Sequence, residues 1–332
     1  MADKKLNFGI VGCGMIADFH AQAIKSLDKA TLIGATDAVT DLAVSFADKY
    51  GIRAYKTFED MLEDEQIDAV CICTPSGFHA ENALAALKAK KHVVLEKPMA
   101  FTSSKAQEIA QAANNSGCIL TVISQLRFSE DIQRVKKLMN EEAFGKIVFC
   151  DLYMKYWRSP EYYSSSDWKG TRKLDGGGAL MNQGIHGVDI LLYLAGNAKV
   201  LSAKNATLFH DIEVEDVTAS LLEFESGALG VIEASTCSNP GFERRIEITG
   251  TKGSVVLLEN KIDKLMINGE TLIDGISETV AKTASDPMAM SCSLHALQIN
   301  NFVNAVFGAE KLLIDSYKGS KAVNLIEEIY KY

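Results

Sequence analysis

The sequence predicts an α/β chain in two parts: an N-terminal doubly wound domain of the Rossmann type, then a C-terminal α+β domain with a large, mostly antiparallel open sheet. Three observations carry this. Between Leu6 and Ser124 short apolar runs alternate with segments of helical spacing, as in parallel strands joined by crossover helices. After about Gln125 the runs lengthen and alternate with period two, separated by turn signals such as Glu225-Ser226-Gly227 and Thr251-Lys252-Gly253, the mark of antiparallel strands. The chain's 332 residues also exceed what a single core usually serves. The boundary is placed by the change of period alone, giving domains 1–124 and 125–332, with the C-terminal helices free to pack back on the first domain.

In the first domain, Leu6–Val11, Leu32–Thr36, Ala69–Cys73, His92–Leu95 and Ile119–Ile123 read as strands. Thr40–Tyr50, His79–Lys90 and Ser103–Asn115 read as helices, with apolar residues on one face and Lys, Glu and Gln on the other. In the second, Ile147–Trp157, Val214–Glu225, Ala228–Cys237, Phe242–Thr249 and Ser254–Leu258 read as strands. Helices are expected at Ala179–Ala195, Leu294–Phe307 and Lys321–Tyr330.

The first strand closes on Gly12-Cys13-Gly14-Met15-Ile16-Ala17. Gly12 permits a tight turn, Gly14 lets a ligand approach the backbone, and the small Ala17 lets the following helix pack closely. A pyrophosphate then sits at the helix N-terminus beside Gly12, Gly14, Met15 and Ile16. Asp37 ends the second strand about twenty residues on, where a carboxylate accepts hydrogen bonds from a ribose. No Arg or Lys follows it in Ala38-Val39-Thr40 to welcome a 2′-phosphate, so the cofactor expected is NAD. The first domain is thus read as dinucleotide-binding and the second as substrate-binding and oligomerising.

Composition excludes other classes. At 47% hydrophobic and 23% charged, with no apolar run long enough for a bilayer, the chain reads as a soluble globular protein. Met1-Ala2-Asp3-Lys4-Lys5 leads directly into the first strand, so no signal or transit segment is expected. A net charge of −9 disfavours nucleic acid and anionic membrane as partners. Seven cysteines without a Cys-x-x-Cys pair read as reduced residues of a cytoplasmic protein, and the six dispersed histidines predict no metal site.

Two further segments carry chemistry. His92-Val93-Val94-Leu95 runs into Glu96-Lys97-Pro98 at the carboxyl edge of the sheet, where the Lys97 ammonium can polarise a carbonyl or stabilise a forming alkoxide, and partial desolvation would lower its pKa toward working pH. In Gly176-Gly177-Gly178 through Asp189, the residues Asn182, His186 and Asp189 fall at i, i+4 and i+7, a polar stripe on an apolar helix. A histidine in the place of His186 can take or give a proton, and Asn182 can orient a ligand hydroxyl.

Together with Thr74-Pro75-Ser76-Gly77-Phe78-His79, these motifs resemble the Gfo/Idh/MocA family of sugar and cyclitol oxidoreductases over nearly the whole chain. The resemblance implies that Lys97 and His186 are catalytic. It also implies that Thr74, Pro75, His79, Glu96, Lys97 and Gln125 lie against the nicotinamide cofactor. Many members carry Asp where this chain has Asn182, and Asn occurs in relatives that oxidise nucleotide-linked sugars, so Lys97 and His186 are left to carry proton transfer.

Substrate contacts are expected from Arg127, Tyr156, Trp157, Tyr163, Trp168, Lys169 and Arg172, since aromatic faces suit sugar C–H groups and cations suit a carboxylate or phosphate. A non-catalytic NAD- or sugar-binding regulator of the same fold is the rival reading. The intact Lys97 and His186 speak against it. A homodimer or homotetramer through the C-terminal sheet is expected, because the available helices are too few to cover both of its faces.

Overall fold

A computed structural model describes residues 4–275 and 292–332. The chain forms two compact units. One runs to Gln125 and takes in the segment ending at Ser320; the other runs from Leu126 and ends with Lys321–Tyr332.

The first unit contains β1 (Leu6–Val11), α1 (Met15–Lys25), β2 (Ala30–Thr36), α2 (Thr40–Tyr50), β3 (Arg53–Ala54), α3 (Phe58–Glu63), β4 (Ala69–Ile72), α4 (His79–Lys88), β5 (His92–Leu95), α5 (Ser103–Ser116) and β6 (Leu120–Val122). Its six strands are all parallel, in the order β3-β2-β1-β4-β5-β6. The order reverses between β1 and β4, and a crevice at the carboxyl ends of such a pair is where open α/β sheets take their ligands. Every residue of β4 is buried, as a strand covered on both faces requires. Local signals set the helix ends. Thr57 and Asp60 form a reciprocal capping box at α3, Thr102 accepts from the Lys105 N–H at α5, and α2 and α5 stop at Gly51 and Gly117 in left-handed conformations. The short β3 and α3 were not expected; two and six residues carry too little periodicity to read.

The second unit adds α6 (Glu130–Asn140), β7 (Ile147–Lys155), α7 (Pro160–Ser164), α8 (Ile185–Ala195), β8 (Ala198–Ala206), β9 (Val217–Phe224), β10 (Leu229–Ser235), β11 (Arg245–Gly250), β12 (Gly253–Leu258), β13 (Lys261–Ile267) and β14 (Glu270–Asp274). Its eight strands run β14-β13-β12-β11-β7-β10-β9-β8. The sheet is mostly antiparallel, as expected, but β7 and β10 are parallel neighbours, with Leu229 opposite Phe149. α8 packs on the inner face, where Cys150, Leu152 and Met154 of β7 are fully buried. A Cβ on Gly187 would stand 2.9 Å from Leu152, so the helix and sheet approach closely there. On the outer face Phe149 is 46% exposed, and Leu221 and Leu229 are each 40% exposed. Val148, near the start of β7, is exposed as well.

The last helices are α9 (Ser293–Val306) and α10 (Ser316–Ile329). α9 packs on α1 within the first unit and sets Phe302 against Phe8. The helix expected at Ala179–Ala195 is divided: Ala179–Gly184 is a π-helical segment, and α8 begins only at Ile185.

Candidate active site

The turn after β1 has the shape its glycines foretold. Gly12 adopts φ +88°, and a Cβ there would lie 2.7 Å from the Cys73 and Thr74 backbone, so only glycine fits. Gly14 differs, because a Cβ there would meet nothing within 4 Å. No protein contact demands glycine at this position, and α1 opens with no side chain capping its first turn. A free helix N-terminus beside an open approach is what a pyrophosphate needs. Asp37 steadies the turn, its Oδ2 accepting from the Cys13 N–H at 2.7 Å and its Oδ1 from the Val39 N–H at 2.8 Å. Each oxygen keeps a lone pair for a ribose hydroxyl. Met15 is exposed at the start of α1, and Ile16, Thr74 and Pro75 are half-buried. Gln125, which follows β6, is 2% exposed, and its Oε1 is a buried acceptor without a hydrogen bond. The residues present therefore fit a dinucleotide.

Lys97 follows β5 directly and is half-buried, joined to Pro98 by a cis peptide. Glu96 and His79 both support the backbone around Lys97. The His79 ring bridges the Thr74 and Pro98 carbonyls, at 2.9 Å through Nε2 and 2.7 Å through Nδ1. Glu96 accepts from the Lys97 N–H through Oε2 at 3.1 Å and meets His20 Nε2 through Oε1 at 2.8 Å. His295, from α9, lies 3.9 Å from the same Oε1, and neither of its nitrogens has a hydrogen bond. Burial opposes the Glu96 charge, yet His20 outweighs it and holds the carboxyl at about 2. Burial pushes His295 down to about 4, which keeps it neutral. His20, Glu96 and His295 are also the one group of metal-ligand types found close together among the described residues. The shortest contact in it is a hydrogen bond, so a buried ion pair describes it.

In the second unit the polar stripe is rearranged. Asn182 lies in the π-helical segment and donates to Asp175 Oδ1 at 2.6 Å, while His186 is half-buried in the first turn of α8. Asp189 has left the stripe: it is 5% exposed and takes two hydrogen bonds from Arg127, at 2.6 and 2.9 Å. Arg127, expected at the substrate, is thus a buried ion-pair partner stacked on Tyr193. Tyr156 and Tyr163 also have protein partners. Tyr156 is buried with its hydroxyl toward Glu259, and Tyr163 is buried and donates to Thr236.

Trp157 is half-buried against Phe209 and His210, and Trp168 is half-buried, with its carbonyl accepting from the Thr171 hydroxyl. Lys169 lies over the Tyr162 ring and donates to Ser165, and burial lowers its pKa. Arg172 is exposed on Glu213. Arg158, one of the cations the sequence places around the predicted site, is buried: it donates to Gln183 Oε1, and Gln183 in turn donates to Tyr162.

The parallel sheet, its glycine turn and the lysine beyond β5 define an NAD-binding dehydrogenase-type domain. Comparison with known proteins supplies the family. The description "Oxidoreductase family, NAD-binding Rossmann fold" matches residues 6–124, and the GFO/IDH/MocA C-terminal domain matches residues 132–256. The chain belongs to the GFO/IDH/MocA oxidoreductases.

Among solved structures it resembles the WlbA dehydrogenase of Chromobacterium violaceum in complex with NADH and UDP-GlcNAcA. That likeness has 32% identity, covers 100% of this chain and 94% of that one, and has a TM-score of 0.88. WlbA of Bordetella pertussis, with the same ligands, is 31% identical over 99% of this chain and 96% of its own, with a TM-score of 0.87. Myo-inositol 2-dehydrogenase of Thermotoga maritima is 28% identical, covering 75% of this chain and 74% of that protein. No helix among the described residues is long and apolar enough to cross a membrane.

Proposed function

We propose that the protein oxidises a ring secondary hydroxyl of an acidic or nucleotide-linked sugar with NAD. The observation that carries the substrate class is the 32% identity, along the entire chain, to a dehydrogenase solved with NADH and UDP-GlcNAcA. Two local features support it. Asparagine stands at position 182, and Arg158, Lys169 and Arg172 place cations around the segment that carries it. Arg172 and Lys169 suit a carboxylate or phosphate.

In this reading NAD, when bound, accepts the hydride at its nicotinamide. Asp37 holds the adenosine ribose, and the open α1 N-terminus holds the pyrophosphate. The Gln125 Oε1 acceptor takes a polar hydrogen of the cofactor or substrate. The hydroxyl proton passes to the neutral Lys97 amine or to an imidazole nitrogen of His186, and this pair carries the proton transfer because Asn182 has no basic atom to offer. The same groups in reverse protonate an alkoxide during reduction. Free thiols at all seven cysteines support a reducing cytoplasmic setting, and the exposed Phe149, Leu221 and Leu229 on the outer face of the second unit's sheet support a homodimer or homotetramer.

The test is NADH formation with UDP-GlcNAcA, UDP-GlcNAc, myo-inositol and glucose. Preferred turnover of the acidic nucleotide sugar, with a rise in KM of about tenfold or more for Arg172→Ala, is expected. Equal use of neutral sugars with no loss on Arg172→Ala overturns the anionic assignment.

A further inference from the structure

Helix entries leave their first N–H groups without partners inside the helix. At the entry to the segment carrying Asn182 and His186, four successive amides all find acceptors, and two distant residues provide them. The Gly178 N–H donates to Glu215 Oε2 at 3.0 Å, the Ala179 N–H to the Glu215 carbonyl at 2.9 Å, and the Leu180 N–H to Glu215 Oε1 at 2.9 Å. The Met181 N–H donates to the Tyr330 hydroxyl at 3.1 Å, and that hydroxyl donates to Glu215 Oε1 at 2.6 Å. Nothing in the segment's own sequence caps it.

The surrounding chain is shaped to this contact. A Cβ on Gly178 would lie 1.9 Å from the Glu215 carbonyl oxygen, and one on Gly177 would lie 2.5 Å from the Tyr330 hydroxyl. The two glycines before the helix therefore let Glu215 and Tyr330 reach its amides. Held in this way, the backbone takes the wide π turn, with the Gln183 N–H reaching the Gly178 carbonyl at 3.4 Å. The turn sets how far Asn182 and His186 are rotated from each other; π turns recur at functional sites. Glu215 is 9% exposed, and burial raises its carboxyl above the ordinary range while its donors lessen the rise; Tyr330, beside it, holds its proton firmly.

We propose that Glu215 and Tyr330 are a positioning pair for Asn182 and His186, fixing the π turn so that both side chains are presented to substrate from one place. Neither touches the reacting atoms. The proposal rests on the dehydrogenase reading above.

Tyr330→Phe removes one hydroxyl and leaves the ring, and Glu215→Gln removes one acceptor and keeps the volume. With UDP-GlcNAcA and NAD, each variant is expected to lose about tenfold to a hundredfold in kcat, with a displaced pH profile and an NADH Kd within about twofold of wild type. Amide hydrogen exchange is expected to quicken at 178–181 and to stay unchanged in the sheet. Should one variant fail to fold, the other decides. A folded Tyr330→Phe protein with wild-type kcat overturns the proposal, as does unchanged exchange at Met181. If the wild type reduces no NAD with any sugar, the dehydrogenase reading fails, and the exchange result alone decides whether the pair holds the turn.

Discussion

At the scale of single residues, the cofactor preference comes down to Asp37. Its carboxylate faces the turn, no cation follows it in the chain, and a 2′-phosphate placed there would meet like charge. NAD should bind at least about tenfold tighter than NADP, a difference of ~1.4 kcal/mol, and Asp37→Ala should narrow that gap. Equal dissociation constants in the wild type, by calorimetry, would remove the ribose role. His295 gives a second residue-scale prediction. It is neutral in the folded protein down to about 4, whereas the unfolded chain takes up its proton near 6.5. Folding stability should therefore fall as pH drops from about 6.5 to 4, by on the order of 3 kcal/mol from this group. Glu96, held at about 2, adds to the loss between its ordinary 4.5 and 2, and His20, raised above 6.5, is the source of loss on the alkaline side. Urea melts of His295→Phe across this range should show a flatter acid limb; an unchanged limb would contradict the assignment.

At the scale of elements, what could be read in advance followed how local each signal was. The glycine turn, the long helices of the first unit and the place of Glu96-Lys97-Pro98 just after β5 are contiguous in sequence and came through as local structure. The polar stripe did not, because its spacing assumed one continuous α-helix. Glu215 and Tyr330, distant in the chain, impose a π turn instead, and Arg127 draws Asp189 away into a buried pair. The partners of the aromatics were not legible either: Tyr156 and Tyr163 make buried hydroxyl contacts that period-two patterning cannot separate from a binding face. The outer face of the eight-stranded sheet makes its own prediction. With Phe149, Leu221 and Leu229 exposed on neighbouring strands, light scattering should give a dimer or tetramer at micromolar concentration, and Leu221→Glu should lower that mass. A wild-type monomer would contradict it.

At the scale of the whole molecule, the proposed reaction stands on Lys97 and His186 as the proton-transferring residues. The direct test is NADH formation from UDP-GlcNAcA by the wild type, Lys97→Met and His186→Ala, beside NADH binding by each. The expected result is turnover in the wild type, a loss of about a hundredfold or more in each variant, and NADH dissociation constants within about twofold of wild type. Near-normal turnover in either variant would contradict the shared proton transfer and leave that residue a positioning role only.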